Sequence, residues 1–146
     1  MKKIFIACPI SKYIKGNSFT DDKFKDFTEQ LYNTCKTYSQ DVFLALKREE
    51  YGKKLMRESC VKLDLDEMKN TELVIAIPDD SKGTAVELGW ASYMNLDIIL
   101  ILDKNKQYTP LISGLNDITK TKIIWYDGDL NKVILKRIEK AIKECV

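Results

Sequence analysis

The sequence predicts an α/β fold, a single-domain flavodoxin- or Rossmann-like three-layer sandwich with a five-stranded parallel sheet, spanning residues 1–146. Three observations predict it. The strand-like runs are apolar on both faces, which suits strands covered by helices on either side. Helical periodicity of about 3.6 alternates with these runs along the chain. A length of 146 residues suits one core rather than two.

Lys3-Ile4-Phe5-Ile6-Ala7-Cys8 is a β-rich run closed by Pro9 and reads as a buried first strand. After a polar loop with Gly16, Asn17 and Ser18, apolar residues recur at Phe24, Phe27, Leu31, Cys35 and Tyr38. With Asp21 and Asp22 at its start, this is an amphipathic helix. Val42 to Leu46 is the second apolar run. The charged stretch from Lys47 to Arg57 reads as a solvated loop and helix start, leading to a stripe of Val61, Leu65 and Met68. Leu73 to Ile77 is the third strand, followed by a turn over Pro78 to Gly83 and a short helix from about Thr84 to Met94. Asp97 to Leu102 and Lys122 to Tyr126 are strands four and five. Leu130, Ile134, Ile138, Ala141 and Cys145 form the stripe of a last helix that packs on the sheet. The order is β-α-β-α-β-α-β-loop-β-α, without internal repeat, low-complexity tract or linker.

Composition narrows the chemistry. Apolar residues are 45% and charged residues 32%, and no apolar run approaches the roughly 18 residues of a membrane span. A soluble protein with no membrane partner is expected. There is no histidine, which excludes Ser-His-Asp and Cys-His catalysis and histidine-based zinc sites. The net charge is +2 with the signs interspersed, so no nucleic-acid-binding stripe is implied. Cys8, Cys35, Cys60 and Cys145 lie far apart with no CxxC pair, and no apolar stretch at Met1 resembles a signal peptide. Reduced thiols in a cytoplasmic protein are expected, with no metal and no organic cofactor.

In such sheets ligands bind beyond the carboxyl ends of the strands, near the switch in strand order. The loops to watch are Pro9 to Ser18, Leu46 to Gly52 and Pro78 to Gly83. The third is the most informative, because a polar turn opens into a helix whose first residues are small and leave free N–H groups approachable. Glu87 lies about one turn into that helix and shares a face with Ala91 and Met94. The helix dipole is expected to hold it ionised, which suits a nucleophile. The plainer alternative is that it complements the dipole or pairs with a lysine. Asp64 lies roughly 60° off the Val61-Leu65-Met68 stripe, at the edge of the buried face, where an aspartate is ordinarily solvated.

Asp64-Leu65, then Leu73-Val74-Ile75-Ala76-Ile77-Pro78-Asp79, then Gly83-Thr84-Ala85-Val86-Glu87-Leu88-Gly89-Trp90-Ala91 and Asp97 to Ile101 form a connected pattern. It resembles the nucleoside 2-deoxyribosyltransferase family and its relatives, the 2'-deoxynucleoside 5'-monophosphate N-glycosidases. Ile4 to Pro9 fits the family's first strand and turn, so the likeness runs through nearly the whole chain. The resemblance implies cleavage of an N-glycosidic bond by double displacement. Glu87 would be the nucleophile, and Asp64 would handle the proton of the base or its acceptor, the division of labour of retaining glycosidases.

By the same resemblance Ser81 matches a serine that touches a 5'-phosphate. Ser11 and Lys12 stand where a phosphate could also be met, although Cys8-Pro9-Ile10-Ser11-Lys12 lacks the arginine of the nucleotide hydrolases. Pro9 leans toward the transferase pattern, with Cys8 where glycine is expected. The candidate substrate-binding set is Cys8, Pro9, Ser11, Asp79, Ser81, Gly83 and Gly89, with Asp79 and Asp80 near the base or ribose. Tyr13 would orient Glu87 or the sugar, unless it simply packs. Trp90 is expected in the core or at a subunit interface. The family implies a homo-oligomer, a dimer or higher, in which a neighbour lends an amide side chain. Asn116 does not stand at the expected offset for it.

Three readings remain open at this level. The first is an enzyme that passes the sugar of a nucleoside or nucleotide to another base or to water. The second is a TIR-like NAD-cleaving enzyme, which the E-L-G frame disfavours. The third is a non-catalytic nucleotide-binding module in which Glu87 is structural.

Overall fold

The computed structural model describes residues 1–146 apart from Lys2 and Ser59. Strand β1 (Lys3–Ala7) is followed by a short hairpin of β2 (Ile14–Lys15) and β3 (Ser18–Phe19), then α1 (Asp22–Lys36) and β4 (Asp41–Leu44). Next come α2 (Ala45–Arg48), α3 (Cys60–Lys69), β5 (Leu73–Ala76), α4 (Lys82–Tyr93) and β6 (Asp97–Asp103). The chain closes with α5 (Pro110–Ser113), β7 (Thr121–Tyr126) and α6 (Lys132–Cys145). The five-stranded sheet has the order β4-β1-β5-β6-β7 and every pairing is parallel. This is the expected α/β three-layer sandwich.

Alternation along each strand splits the core into two layers. Ile4 and Ile6 of β1, Leu73 and Ile75 of β5, and Ile99 and Ile101 of β6 pack beneath α1 and α6, against Phe27, Leu31, Ile138 and Ile142. Phe5, Ala7, Val74, Ala76, Ile98 and Leu100 face the other way, onto Met68, Leu88 and Ala91. Capping fixes where the helices begin. Asp21 accepts a hydrogen bond from the Phe24 amide at 3.0 Å to start α1, and Asn131 accepts from the Val133 and Ile134 amides to start α6.

Several expectations are corrected. The stripe Val61-Leu65-Met68 does not dock as a unit: Met68 is fully buried whereas Val61 is 65% exposed. The N-terminal half of α3 stands off the sheet and walls a cavity instead. The loop after β1 contains the β2–β3 hairpin, turned by Gly16 at φ +64°. The helix after the Pro78 turn starts at Lys82 rather than Thr84. The connection after β6, expected to be plain loop, contains α5. Among the described residues no helix is long and apolar enough to cross a membrane.

The chain runs from β1 outward to β4 and then back across β1 to β5. The reversal of direction therefore falls between β1 and β5, whose carboxyl ends lead into Cys8-Pro9 and Pro78-Asp79. A crevice at this switch point follows from the topology.

Candidate active site

A cavity of about 740 Å³ opens at that crevice, a size typical of small-ligand sites. β1 and its loop contribute Cys8, Pro9, Ser11 and Lys12, while α3 contributes Cys60, Val61 and Asp64. α4 and its cap contribute Ser81, Gly83, Thr84, Val86, Glu87 and Trp90. Ala45, the first residue of α2 after β4, adds only a methyl group to the wall.

The start of α4 is built to receive a polar group. Ser81 caps the helix, its Oγ accepting from the Thr84 amide at 3.2 Å. A Cβ on Gly83 would touch nothing nearer than Ser81 Oγ at 3.8 Å, so the first turn is bare toward the cavity. Thr84 is 1% exposed, yet its Oγ1 has no hydrogen-bond partner. A buried hydroxyl on a cavity wall can bond a polar group that enters the cavity.

Glu87 and Asp64 meet at the same cavity from neighbouring helices. Asp64 Oδ1 accepts from Arg48 Nη1 at 2.5 Å, and Arg48 Nη2 donates to Glu49 Oε2 at 2.9 Å. Burial first, and the Asp64 charge second, push the Glu87 carboxyl up to about 8, against a downward pull from Arg48. The expectation that the helix dipole keeps Glu87 ionised is thereby corrected. Its carboxyl hangs from the second turn of α4 into a desolvated wall, beyond the first turn where the dipole acts. Its carboxyl is thus held toward the protonated form near neutral pH. Burial and the nearby Glu87 charge also push the Cys8 thiol up, so Cys8 lines the cavity as a neutral group.

The remaining candidates separate. Pro9, Ser11, Ser81 and Gly83 line the cavity with Cys8. Asp79 does not. It sits at φ +45° after Pro78, its side chain 6% exposed, and forms ion pairs with Lys12 and Lys106. Its carboxyl is directed into a second cavity of about 350 Å³, while Asp80 lines the first. Burial would push the Asp79 carboxyl up, but the Lys106 and Lys12 ammonium groups outweigh it and hold it below the usual carboxylate range.

Tyr13 also lines the second cavity, its ring stacked on Phe24 at 4.6 Å and tilted against Phe19 at 5.5 Å. It belongs to an aromatic cluster rather than to the wall around Glu87. Gly89 is exposed, is not part of the cavity lining, and a Cβ there would meet nothing within 4 Å. Trp90 is half-buried and forms cavity wall with Val86, and Asn116 is exposed outside it.

Sequence reasoning missed Thr84, Arg48 and Glu49. Thr84 looked like an ordinary first-turn residue. Arg48 and Glu49 lay inside a run of charges, and no local pattern distinguished the 3% exposed Glu49 from its solvated neighbours. Among the described residues no group of three or more Cys, Asp or Glu side chains is arranged to hold a metal ion.

No protein-family profile and no curated protein matches the chain. Solved structures do. One is the Clostridium botulinum CMP N-glycosidase BcmB, 26% identical, with a TM-score of 0.67 and 99% of both chains covered. Another is the solution structure of BlsM, 27% identical, with a TM-score of 0.80 over 99% of this chain and 91% of that one. These structural neighbours belong to the nucleoside 2-deoxyribosyltransferase-like and nucleotide N-glycosidase family, the family that the residues themselves resemble.

Proposed function

We propose that the chain is an enzyme that cleaves the N-glycosidic bond of a nucleoside 5'-monophosphate through a covalent glycosyl–Glu87 intermediate, with water as the usual acceptor. The observation that carries this reading is one cavity holding two carboxylates, Glu87 and Asp64, beside an open helix N-terminus at Ser81, Gly83 and Thr84. The CMP N-glycosidase among its structural neighbours supports a nucleotide as substrate.

The chemistry divides between the two ends. A 5'-phosphate at the start of α4 meets backbone N–H groups, the Thr84 hydroxyl and the Lys12 ammonium, which line the same cavity. That anchors the sugar with C1' toward Glu87. Trp90, Val86 and Val61 offer an apolar wall for the flat base. Glu87 passes its proton to Asp64 across the cavity, and its carboxylate attacks C1'. The C1'–N bond breaks, its electron pair leaves with the base, and Asp64 gives that proton to the base. Water then attacks C1', Asp64 accepts the water proton, and the ester bond to Glu87 breaks to regenerate the carboxylate, which takes the proton back from Asp64. The sum is nucleotide plus water giving free base plus sugar phosphate.

Homo-oligomerisation belongs to the same proposal: Val61, Val86 and Tyr93 stand 65%, 53% and 92% exposed on the helices that wall the cavity, a face suited to a second copy. The functional test is incubation with a panel of nucleosides and 5'-monophosphates, with and without an added acceptor base. Release of free base and sugar phosphate is expected. No release from any member would overturn the enzyme reading, and a new nucleotide formed from the added base would replace water by base as the acceptor.

A further inference from the structure

We propose that Arg48 is a positioning residue of this site: tied through one guanidinium nitrogen to buried Glu49, it uses another to fix the Asp64 carboxylate at the cavity wall. The inference rests on the proposed N-glycosidase reading and adds a residue outside the cavity lining.

Asp64 needs such a support. α3 is anchored to the core through Met68, whereas Val61 and Leu63, in the turn that leads into Asp64, are 65% and 45% exposed. Exposed apolar neighbours on that half of the helix give the Asp64 side chain little to pack against. Arg48 holds it, at 2.5 Å. Arg48 is itself held on two further sides. Its guanidinium lies 5.3 Å over the Phe43 ring, and Nη2 is bonded to Glu49 Oε2 at 2.9 Å. The other Glu49 oxygen accepts from the Met56 amide at 2.9 Å.

The loop that follows is fixed by an unusual backbone. Glu50 and Tyr51 adopt φ 49° and 53°, and Tyr51 is pinned by a 2.9 Å bond between its hydroxyl and Thr28. Two successive non-glycine residues in the left-handed region persist where surroundings over-determine them.

An exposed ion pair would contribute little and would position nothing. This one is different in kind. Glu49, Asp64 and Arg48 side chains are 4%, 19% and 24% exposed, and Arg48 Nε is out of solvent with no partner. A planar fork that serves two carboxylates at once is a geometry that lysine cannot reproduce. The cost of desolvating that fork is met beside the carboxylate that the reaction uses.

The electrostatic consequence reaches Glu87. The groups that face it or share its cavity are Cys8 from the end of β1, Lys12 from the next loop, Cys60 and Asp64 from α3, and Asp80 and Lys82 from the turn into α4. Arg48, behind Asp64, is the cation that pulls the Glu87 carboxyl down against burial and Asp64. Removing Arg48 therefore raises the pH at which Glu87 becomes a carboxylate, and restoring a cation lowers it again.

The test compares wild type, Arg48→Met, Arg48→Lys and the double variant Arg48→Met/Glu49→Gln, the last leaving no buried Glu49 without its cation. Two readouts are taken: the pH profile of base release from a 5'-monophosphate, and the substrate-free ¹³C titration of the Glu87 carboxyl, assigned with Glu87→Gln. Arg48→Met and the double variant are expected to lose about ten- to hundredfold in kcat with KM within about threefold. Their acid limb and Glu87 titration both move to higher pH, and Arg48→Lys moves both back toward wild type without restoring full kcat. An unmoved limb and titration in both Met variants, accompanied only by a lower Tm, would overturn the proposal. So would a loss carried by KM alone. If wild type releases no base, the N-glycosidase reading fails, while the substrate-free titration still decides whether Arg48 governs the carboxylate pair.

Discussion

Asp64 and Glu87 face one cavity, but the cation belongs to Asp64: Arg48 Nη1 lies 2.5 Å from Asp64 Oδ1, and no ion pair among the described residues reaches Glu87. Two neighbouring carboxylates with unequal surroundings are a recurrent device for dividing acid and base roles. The Arg48-bound member is held in place by its ion pair, and the desolvated member is the one whose carboxyl is pushed up. Glu87→Gln should therefore abolish base release, by at least about a thousandfold, because an amide cannot form the glycosyl ester. Circular dichroism of this variant should match wild type. Retained turnover would show that Glu87 is not the nucleophile.

The same raised carboxyl sets a pH dependence for activity. A nucleophile must be ionised to attack, and Glu87 reaches that state at about 8 in the substrate-free site. kcat/KM, which reports the free enzyme, should climb through the neutral range toward a plateau above about pH 8. A flat profile from about pH 6 to 9 would mean that a different group limits the reaction, or that Glu87 is already charged at rest.

Stability carries the opposite signature. Glu87 is raised from 4.5 to about 8 on folding, so between these values the native state binds the proton more tightly than the unfolded chain does. By linkage the native state then loses stability as pH rises through that window, and the full cost is present above about 8. Glu87→Gln removes the titration. Its Tm should exceed that of wild type at about pH 8.5 by several degrees, corresponding to about 1–3 kcal/mol, and the gap should narrow toward about pH 5. Parallel Tm curves across this range would show that Glu87 is not desolvated in solution.

Much of this arrangement was legible in the sequence, for physical reasons. Runs such as Leu73 to Ile77 are apolar on both faces because both faces are covered, and Pro78 with Ser81 marks where strand ends and helix begins. Glu87 stood out because a carboxylate shared a face with Ala91, which is indeed buried. What stayed hidden depends on through-space neighbours. Glu49 and Arg48 look like any members of a charged stretch until the fold brings Asp64 alongside, 16 positions from Arg48. Val61 looked like core because periodicity shows that a helix has an apolar face without showing what covers it. Tyr13 and Asp79 were assigned to the Glu87 cavity by proximity to the right loops. The lysine pairings and the ring stacking that draw them to the second cavity are long-range contacts with no local signal.

Thr84 and Ser81 separate a ligand role from a structural one. The Thr84 hydroxyl is buried without a partner, so Thr84→Val deletes an unsatisfied polar atom and should raise Tm slightly. If that hydroxyl meets the phosphate, the same variant should weaken 5'-monophosphates by about 1–3 kcal/mol in KM while leaving nucleosides unaffected. Ser81→Ala also removes the helix cap and should cost about 1 kcal/mol of stability besides any loss on monophosphates. Equal losses on nucleosides and monophosphates would refute a phosphate at this end of α4.

Asp79 is predicted to act on the fold rather than on the sugar. Its carboxylate ties Lys12, in the loop after β1, to Lys106, in the loop after β6, across the end of β5. Asn is the informative replacement because it tolerates the left-handed φ of +45° that this position requires and removes only the charge. The lysine side chains are about 40% exposed, so solvent screens the pairs and Asp79→Asn should cost only about 1–2 kcal/mol near pH 7. The sign with pH is opposite to that of Glu87. The native carboxyl lies below its ordinary value of 3.8, so the stabilisation is present above about 4 and is lost as pH falls through the depressed native value. Urea unfolding should thus show a gap between wild type and Asp79→Asn that is constant from about pH 5 to 8 and closes in acid. A gap that persists undiminished at about pH 2 would show that Asp79 holds these loops by hydrogen bonding that the amide cannot replace, not by its charge.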